Sequence, residues 1–296
     1  MPAEPVFGRL ALIGAGLIAG SIARRNREQG GLAREVVVTA RTPETRARVR
    51  ELGFADHVAE DPAEAVQGAD GVILCVPVGA CRSVMERIAP HLAPGTLLSD
   101  VGSTKGSVIR DVAPLLPPGV VFVPAHPMAG TEHTGPDSGF ATLFEGRYTI
   151  LTPLEGTPPE AIERVREFWR RCGSMIETMD ATTHDKVVAI VSHLPHLIAF
   201  TICGTADDLS EETRESVLKF AASGFRDFTR IAASDVAMWR DVFLNNREAV
   251  LEMLARFTED AQAFGRAIRW GQEEFIVDRI ARGRKIRRGL IERKQA

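Results

Sequence analysis

An excess of positive charge is missing from this 296-residue chain, where 36 lysines and arginines stand against 39 aspartates and glutamates for a net charge near −3. Nucleic-acid binding rests on clustered cations, so that class of partner is not expected. The basic run RGRKIRRGLIERK (282–294) reads as a solvated helix end, with anion or partner contact as the other reading. Cysteine is sparse: Cys75, Cys81, Cys172 and Cys203 form no CxxC pair. A reduced, cytoplasmic protein without structural disulfides is expected. The N-terminus has no basic segment leading into an apolar one, and no uninterrupted apolar run reaches membrane-spanning length, so no membrane association is expected. Internal repeats and low-complexity segments are absent too.

What remains is ordinary globular material, 45% hydrophobic and 25% charged, long enough for two domains. Short apolar runs alternate with helical patterns over the first 180 residues. RLALIG (9–14), EVVVTA (35–40), GVILCV (71–76), TLLSDV (96–101), VVFVPA (120–125), YTILTP (148–153) and SMIETM (174–179) read as strands. The first five are nearly continuous in hydrophobicity, as in parallel strands covered on both faces. Helical periodicity in the intervening segments points to an α/β, Rossmann-type doubly wound sheet. From Asp180 onward only long helical patterns occur. The expected division is a dinucleotide-binding domain over 1–180 and an all-helical domain over 181–296, whose apolar surplus suggests a homodimer formed through the helices.

GAGLIAG (14–20) follows an apolar strand and opens a helix, the context that gives a glycine pattern meaning. Gly14 permits the tight turn and Gly16 lets the backbone approach a pyrophosphate. Leu17 and Ile18 begin the helix whose N-terminus faces the phosphates, and Ala19 with Gly20 keeps its packing close. The second strand ends VVVTARTPE (36–44), with no acid before Glu44 to hold a ribose 2′-hydroxyl. Arg41, with Thr39 and Thr42 beside it, suits a 2′-phosphate. NADP is the preferred cofactor and NAD a possible one, unless Arg41 only stacks on the adenine.

Ligands of an open parallel sheet bind beyond the carboxyl ends of its strands. Two strand ends deliver Ser103, in DVGSTKG (100–106), and His126, in HPMAGTE (126–132), to that edge. His126 suits proton transfer near neutrality, with Ser103 holding its tautomer. SHLPH (192–196) spaces His193 and His196 by three residues on a helix that Pro195 should bend. They are read as substrate contacts or core histidines; metal ligation lacks a Cys or carboxylate partner at suitable spacing, so no metal is expected. Arg226 and Arg230 fall four apart on an apolar helix face, where they meet anions or are bridged by Asp227 or Glu132.

GAGLIAGS, DVGSTKG, HPMAGTE, SHLPH and GFRDFTRIAASDVAMW occur in the order seen in the prephenate and arogenate (cyclohexadienyl) dehydrogenases of tyrosine biosynthesis, and the chain resembles that family over nearly its whole length. The resemblance implies a nucleotide-binding domain followed by a helical dimerisation domain. It implies His126 as the catalytic histidine, Ser103 as its hydrogen-bonding partner, Arg230 as the ligand of a substrate carboxylate, and His196 and Trp239 as further pocket positions. Arogenate-specific members often lack the second histidine of SHLPH; its presence suggests prephenate or both substrates. No fused chorismate mutase or regulatory domain is expected at this length. A β-hydroxyacid dehydrogenase is the competing enzyme reading, but the asparagine expected four residues after its lysine is here Ile190, after Lys186. A catalytically silent NADP-sensing protein is the non-enzymatic one.

Overall fold

The computed structural model describes residues 4–131 and 133–292. Glu132, Arg293 and Lys294, which figured in the readings above, lie outside them. Nine strands are found among the described residues: β1 (Phe7–Ile13), β2 (Ala33–Thr39), β3 (His57–Ala59), β4 (Gly71–Leu74), β5 (Leu97–Asp100), β6 (Val121–Val123), β7 (Ala125–Pro127), β8 (Tyr148–Leu151) and β9 (Met175–Thr178). The first six form a parallel sheet in the order β3-β2-β1-β4-β5-β6. That is the doubly wound dinucleotide-binding order, with its switch point between β1 and β4. β3 was not anticipated, because three residues beginning with a histidine carry too little hydrophobic pattern.

Through this α/β part run the helices α1 (Leu17–Gln29), α2 (Pro43–Leu52), α3 (Pro62–Ala65), α4 (Cys81–Ile88), α5 (Lys105–Val112) and α6 (Pro159–Arg171). Side chains alternate across a strand, and β1 divides accordingly. Leu10 and Leu12 face one core with Ile22 of α1 and Phe168 and Trp169 of α6. Ala11 and Ile13 face the other with Met85 and Ile88 of α4 and Val108 and Val112 of α5. Each fully buried large apolar side chain contributes about 1.5–3 kcal/mol, so the sheet is anchored from both sides.

The run VVFVPA is not one strand. Pro124 has no N–H to continue the ladder, and the chain leaves the first sheet after Val123. β7 then pairs antiparallel with β8, and β8 parallel with β9, in a separate three-stranded sheet. His126 therefore sits within β7, opposite Ile150, rather than beyond the end of a parallel strand.

After β9 the described residues are helical: α7 (Ala181–Val188), a π-helical turn over Ala189–His193, α8 (Leu194–Asp207), α9 (Glu211–Phe220), α10 (Ser223–Thr229), α11 (Val236–Asn245), α12 (Arg247–Arg269) and α13 (Glu273–Glu292). The change from α/β to helix falls at Asp180, the N-cap of α7. Compactness divides the chain elsewhere, into one unit up to Arg247 and a second from Glu248. The second unit is the α12–α13 pair, in which Arg279 of α13 bonds Asp260 of α12. The stretch Ala181–Asp207 is long and apolar enough to cross a membrane. In this fold two of its polar residues, His184 and His193, are buried.

One buried ion pair ties β5, α5 and β7 together. Lys105 and Asp100, both without exposed side-chain area, are bonded to each other. The Lys105 ammonium also donates to the Ala125 carbonyl at 2.6 Å. Asp100 accepts the Gly102 N–H at 2.7 Å and the Ala125 N–H at 3.2 Å. Removing one member of such a pair leaves the other charge uncompensated, at a cost of about 3–5 kcal/mol. Lys105→Met is therefore expected to lose about that much stability in urea titration, and Lys105→Met combined with Asp100→Asn to recover part of it. A loss below about 1 kcal/mol in the single variant, the range of an exposed pair, would show that the pair is not a structural pin.

Candidate active site

The three glycines of GAGLIAG, after β1, stand in different surroundings. Gly14 has φ +115°, and a Cβ there would lie 2.3 Å from the Cys75 carbonyl oxygen, so backbone strain and space both demand glycine. Around Gly16 no protein atom stands within 4 Å of a Cβ position, so packing alone does not require this glycine. The α1 N-terminus is thus open at Gly16, and no acidic residue stands in its first turn to oppose an anion. Gly20 serves a different contact from the helix–strand packing expected of it. It abuts the loop that follows His126, where a Cβ on Gly139 would come 2.7 Å from the Gly20 carbonyl carbon. The Ser21 hydroxyl accepts the Phe140 N–H at 3.0 Å in the same contact.

At the end of β2, Arg41 is exposed and its guanidinium has no partner among the described residues. Thr42 spends its hydroxyl as the N-cap of α2, accepting from the Thr45 N–H at 3.2 Å. Thr39 is buried, which removes its hydroxyl from the surface. Arg46 was missed by sequence reading. It donates to the Ala40 carbonyl at 2.9 Å and bonds Glu60 at 2.9 Å, bracing the turn that carries Arg41.

His126 is partly accessible on β7, and its Nδ1 lies 2.8 Å from Nε2 of His184 on α7. His184 Nδ1 in turn lies 2.8 Å from the Asp185 carboxylate. Asp185 also accepts the backbone N–H groups of Lys105 and Gly106, at 2.7 and 2.9 Å. It thereby caps α5, whose own N-cap Thr104 makes no capping bond. Ser103 is half-buried after β5, and the hydrogen bond expected from it to His126 is not formed; His184 occupies that place. The signal for His184 was present in the THDK tetrapeptide, next to a helix N-cap, but nothing in the spacing ties residue 184 to residue 126.

His193 and His196 both contact the Trp239 ring, His193 edge-on with ring centroids 5.9 Å apart. Pro195 cannot supply the N–H that its helix position calls for, and the preceding turn widens into the π-helical segment. His193 is buried, its Nδ1 3.0 Å from the Asn246 amide nitrogen, which also donates to the Asp185 carbonyl at 2.8 Å. His196 donates from Nδ1 to the Ser192 carbonyl at 2.9 Å and stacks on Trp239, ring centroids 3.7 Å apart. Phe200 and Phe243 complete this aromatic wall.

Arg226 and Arg230 fall on successive elements. α10 ends at Thr229, and Arg230 begins a 3₁₀ turn over Arg230–Ala233. Both are exposed in the single chain, not held on a buried apolar face as expected. Arg230 is close enough to His196 for its charge to depress the histidine's pKa. Lys186 is exposed on α7. No cluster of three or more potential metal ligands occurs among the described residues.

Burial is the first cause of low basicity throughout the histidine cluster. His126 is held well below the usual value of 6.5 by desolvation and then by the charges of His184, Lys105 and His193. His184 and His196 are lowered mainly by burial, and His193 is pushed down to about 4. With folded pKa values below unfolded ones, the unfolded chain binds more protons between them. The stabilisation is thus complete above about pH 6.5 and is lost as pH falls toward the folded values. His193 alone accounts for ~3 kcal/mol of that loss by pH 4. The melting temperature is expected to fall steadily from pH 6.5 to 4, and less steeply in His193→Gln; equal slopes in calorimetry would contradict the assignment.

Comparison with known proteins agrees with this architecture. The family model for the prephenate dehydrogenase nucleotide-binding domain matches residues 22–178, and that for the prephenate dehydrogenase dimerization domain matches residues 180–282. A cyclohexadienyl dehydrogenase of Zymomonas mobilis is 38% identical over 287 residues, covering 96% of this chain and 97% of the relative. The crystal structure of prephenate dehydrogenase from Aquifex aeolicus, in complex with hydroxyphenyl propionate and NAD+, superposes with a TM-score of 0.86 at 31% identity, covering 96% and 98% of the two chains. Arogenate dehydrogenase of Synechocystis superposes at 0.79 with 25% identity, covering 95% and 99%. With a dinucleotide turn, a buried histidine cluster and both domain models in register along one chain, the protein belongs to the prephenate dehydrogenase family of NAD(P)-dependent dehydrogenases.

Proposed function

We propose that this enzyme oxidatively decarboxylates prephenate to 4-hydroxyphenylpyruvate, or arogenate to tyrosine, with NADP preferred over NAD. The reading is carried by His126: a neutral imidazole, tied at Nδ1 and open at Nε2, on the strand after the dinucleotide-binding sheet. In this reading His126 takes the proton of the 4-hydroxyl as the general base. The bound cofactor supplies a hydride acceptor. Arg230 binds a substrate carboxylate, with Arg226 as a second cation at the pocket. His196 stacked on Trp239 offers a flat wall for the six-membered ring, and His193 holds that wall through Asn246. Ser103 presents its hydroxyl to the same edge. As C4 becomes a ketone, loss of CO₂ restores aromaticity and drives the step forward.

Residues up to 180 hold the cofactor in this reading, through Gly14, Gly16, Leu17, Ile18, Ala19, Gly20, Arg41 and Thr42. Residues from 181 shape the pocket and form a homodimer. Supporting the dimer, the α12–α13 unit exposes Leu251, Phe257, Ile268, Trp270, Val277 and Ile280. A cytoplasmic location fits four free cysteines, of which buried Cys81 is pushed up to about 12 and is unreactive.

A spectrophotometric assay crossing both substrates with both cofactors tests the reading directly. His126→Asn is expected to lower kcat by about 10²–10⁴ with little change in cofactor affinity; near-normal turnover would remove the base. Hydrogen bonds to charged groups contribute about 1.5–3 kcal/mol, so Arg41 on a 2′-phosphate corresponds to a roughly ten- to hundredfold preference for NADP. Arg41→Asp should reverse the preference in kcat/KM measured at one ionic strength. An NAD preference in the wild-type enzyme would overturn the cofactor reading.

A further inference from the structure

The chain His126–His184–Asp185 admits one consistent assignment of protons. Asp185 accepts two peptide N–H groups from the start of α5, so its carboxylate acts as an acceptor toward His184. The His184 nitrogen facing it, Nδ1, therefore carries a hydrogen. His184 has no exposed side-chain area, and its ring lies near the Lys105 ammonium. A second positive charge there is disfavoured, so His184 is neutral and its Nε2 is bare. The 2.8 Å contact with His126 then requires His126 to donate from Nδ1. What is left on His126 is an unprotonated Nε2.

We propose that His184, backed by Asp185, is a positioning residue that fixes the tautomer of His126, keeping Nδ1 protonated and Nε2 free to accept a proton. The inference rests on the reading of His126 as general base. Without an acceptor at its Nδ1, a neutral imidazole is free to carry its hydrogen on Nε2, where it cannot take a substrate proton. When His126 does take that proton, the cation it becomes is hydrogen-bonded through buried His184 to the Asp185 carboxylate, which offsets the new charge. Sequence spacing gave this role to Ser103, whereas the fold brings α7 across to fill it.

The test is direct in the full-length wild-type enzyme labelled with ¹⁵N in its histidines. His126, assigned by the signals lost in His126→Asn, is expected to show an N–H-type Nδ1 and a bare-type Nε2. The opposite tautomer would overturn the proposal. In kinetics, His184→Leu should lower kcat by about 100-fold, at the low end of a general base's contribution, with KM and cofactor binding nearly unchanged. His184→Gln, whose amide oxygen can accept from Nδ1, should restore most of that loss; a purely structural role would treat Leu and Gln alike in the tautomer spectrum. Full kcat with an unchanged tautomer in His184→Leu, alongside an inactive His126→Asn, would sink this inference alone. Normal turnover in His126→Asn would instead sink the base reading on which it stands. If His184→Leu fails to fold, the wild-type spectrum still decides.

Discussion

A lysine with no access to water, bonded to an equally buried aspartate, is the constraint on which the site depends. Lys105 begins α5, Asp100 ends β5, and the third partner is the backbone of Ala125, held through both its N–H and its C=O. Desolvating two charges is expensive, and their attraction offsets the cost only when the remaining donors and acceptors are satisfied. Asp100 meets this condition through the N–H groups of Gly102 and Ala125. The residue immediately after Ala125 is His126. The backbone that carries the imidazole is therefore held by an ion pair bonded to the preceding residue.

The same arrangement shapes the electrostatics. The Lys105 charge lies close enough to His126 and His184 to disfavour their protonated forms, in the same direction as burial. Asp185 opposes this at His184 and at the same time caps α5. One carboxylate thus joins the helix that carries Lys105 to the helix that carries His184. The two histidines come together because β7 and α7 are both tied to the start of α5, β7 through the Lys105 ammonium and α7 through Asp185.

A second constraint is written in prolines. Pro124 ends β6 and hands the chain to another sheet, which turns His126 into a mid-strand residue. Pro195 follows the π-helical turn that carries His193, which is bonded to Asn246, while both His193 and His196 meet the Trp239 ring. At Pro124 the missing N–H ends a strand; at Pro195 the helix carries on, with its hydrogen bonding widened over the preceding turn. Each proline stands within two residues of a site histidine.

Much of the first 180 residues was legible because its signals are local. Strand hydrophobicity, helix periodicity and the Gly14–Gly16 turn each act over a few residues, and the parallel order followed from their alternation. His126 and the SHLPH histidines were recognisable as chemistry-bearing for the same reason. Their partners were not. His184 lies 58 residues from His126, and Asp185 lies 80 from Lys105, so no spacing rule joins them. The burial of Lys105 was equally hidden, since a lysine in a glycine-rich turn reads as solvated. By itself the sequence determined the dinucleotide fold, the helical second half and the residue types at the site. Tertiary structure alone decided which hydrogen-bond partner each of those residues has, because burial and proton placement depend on atoms brought together across the fold.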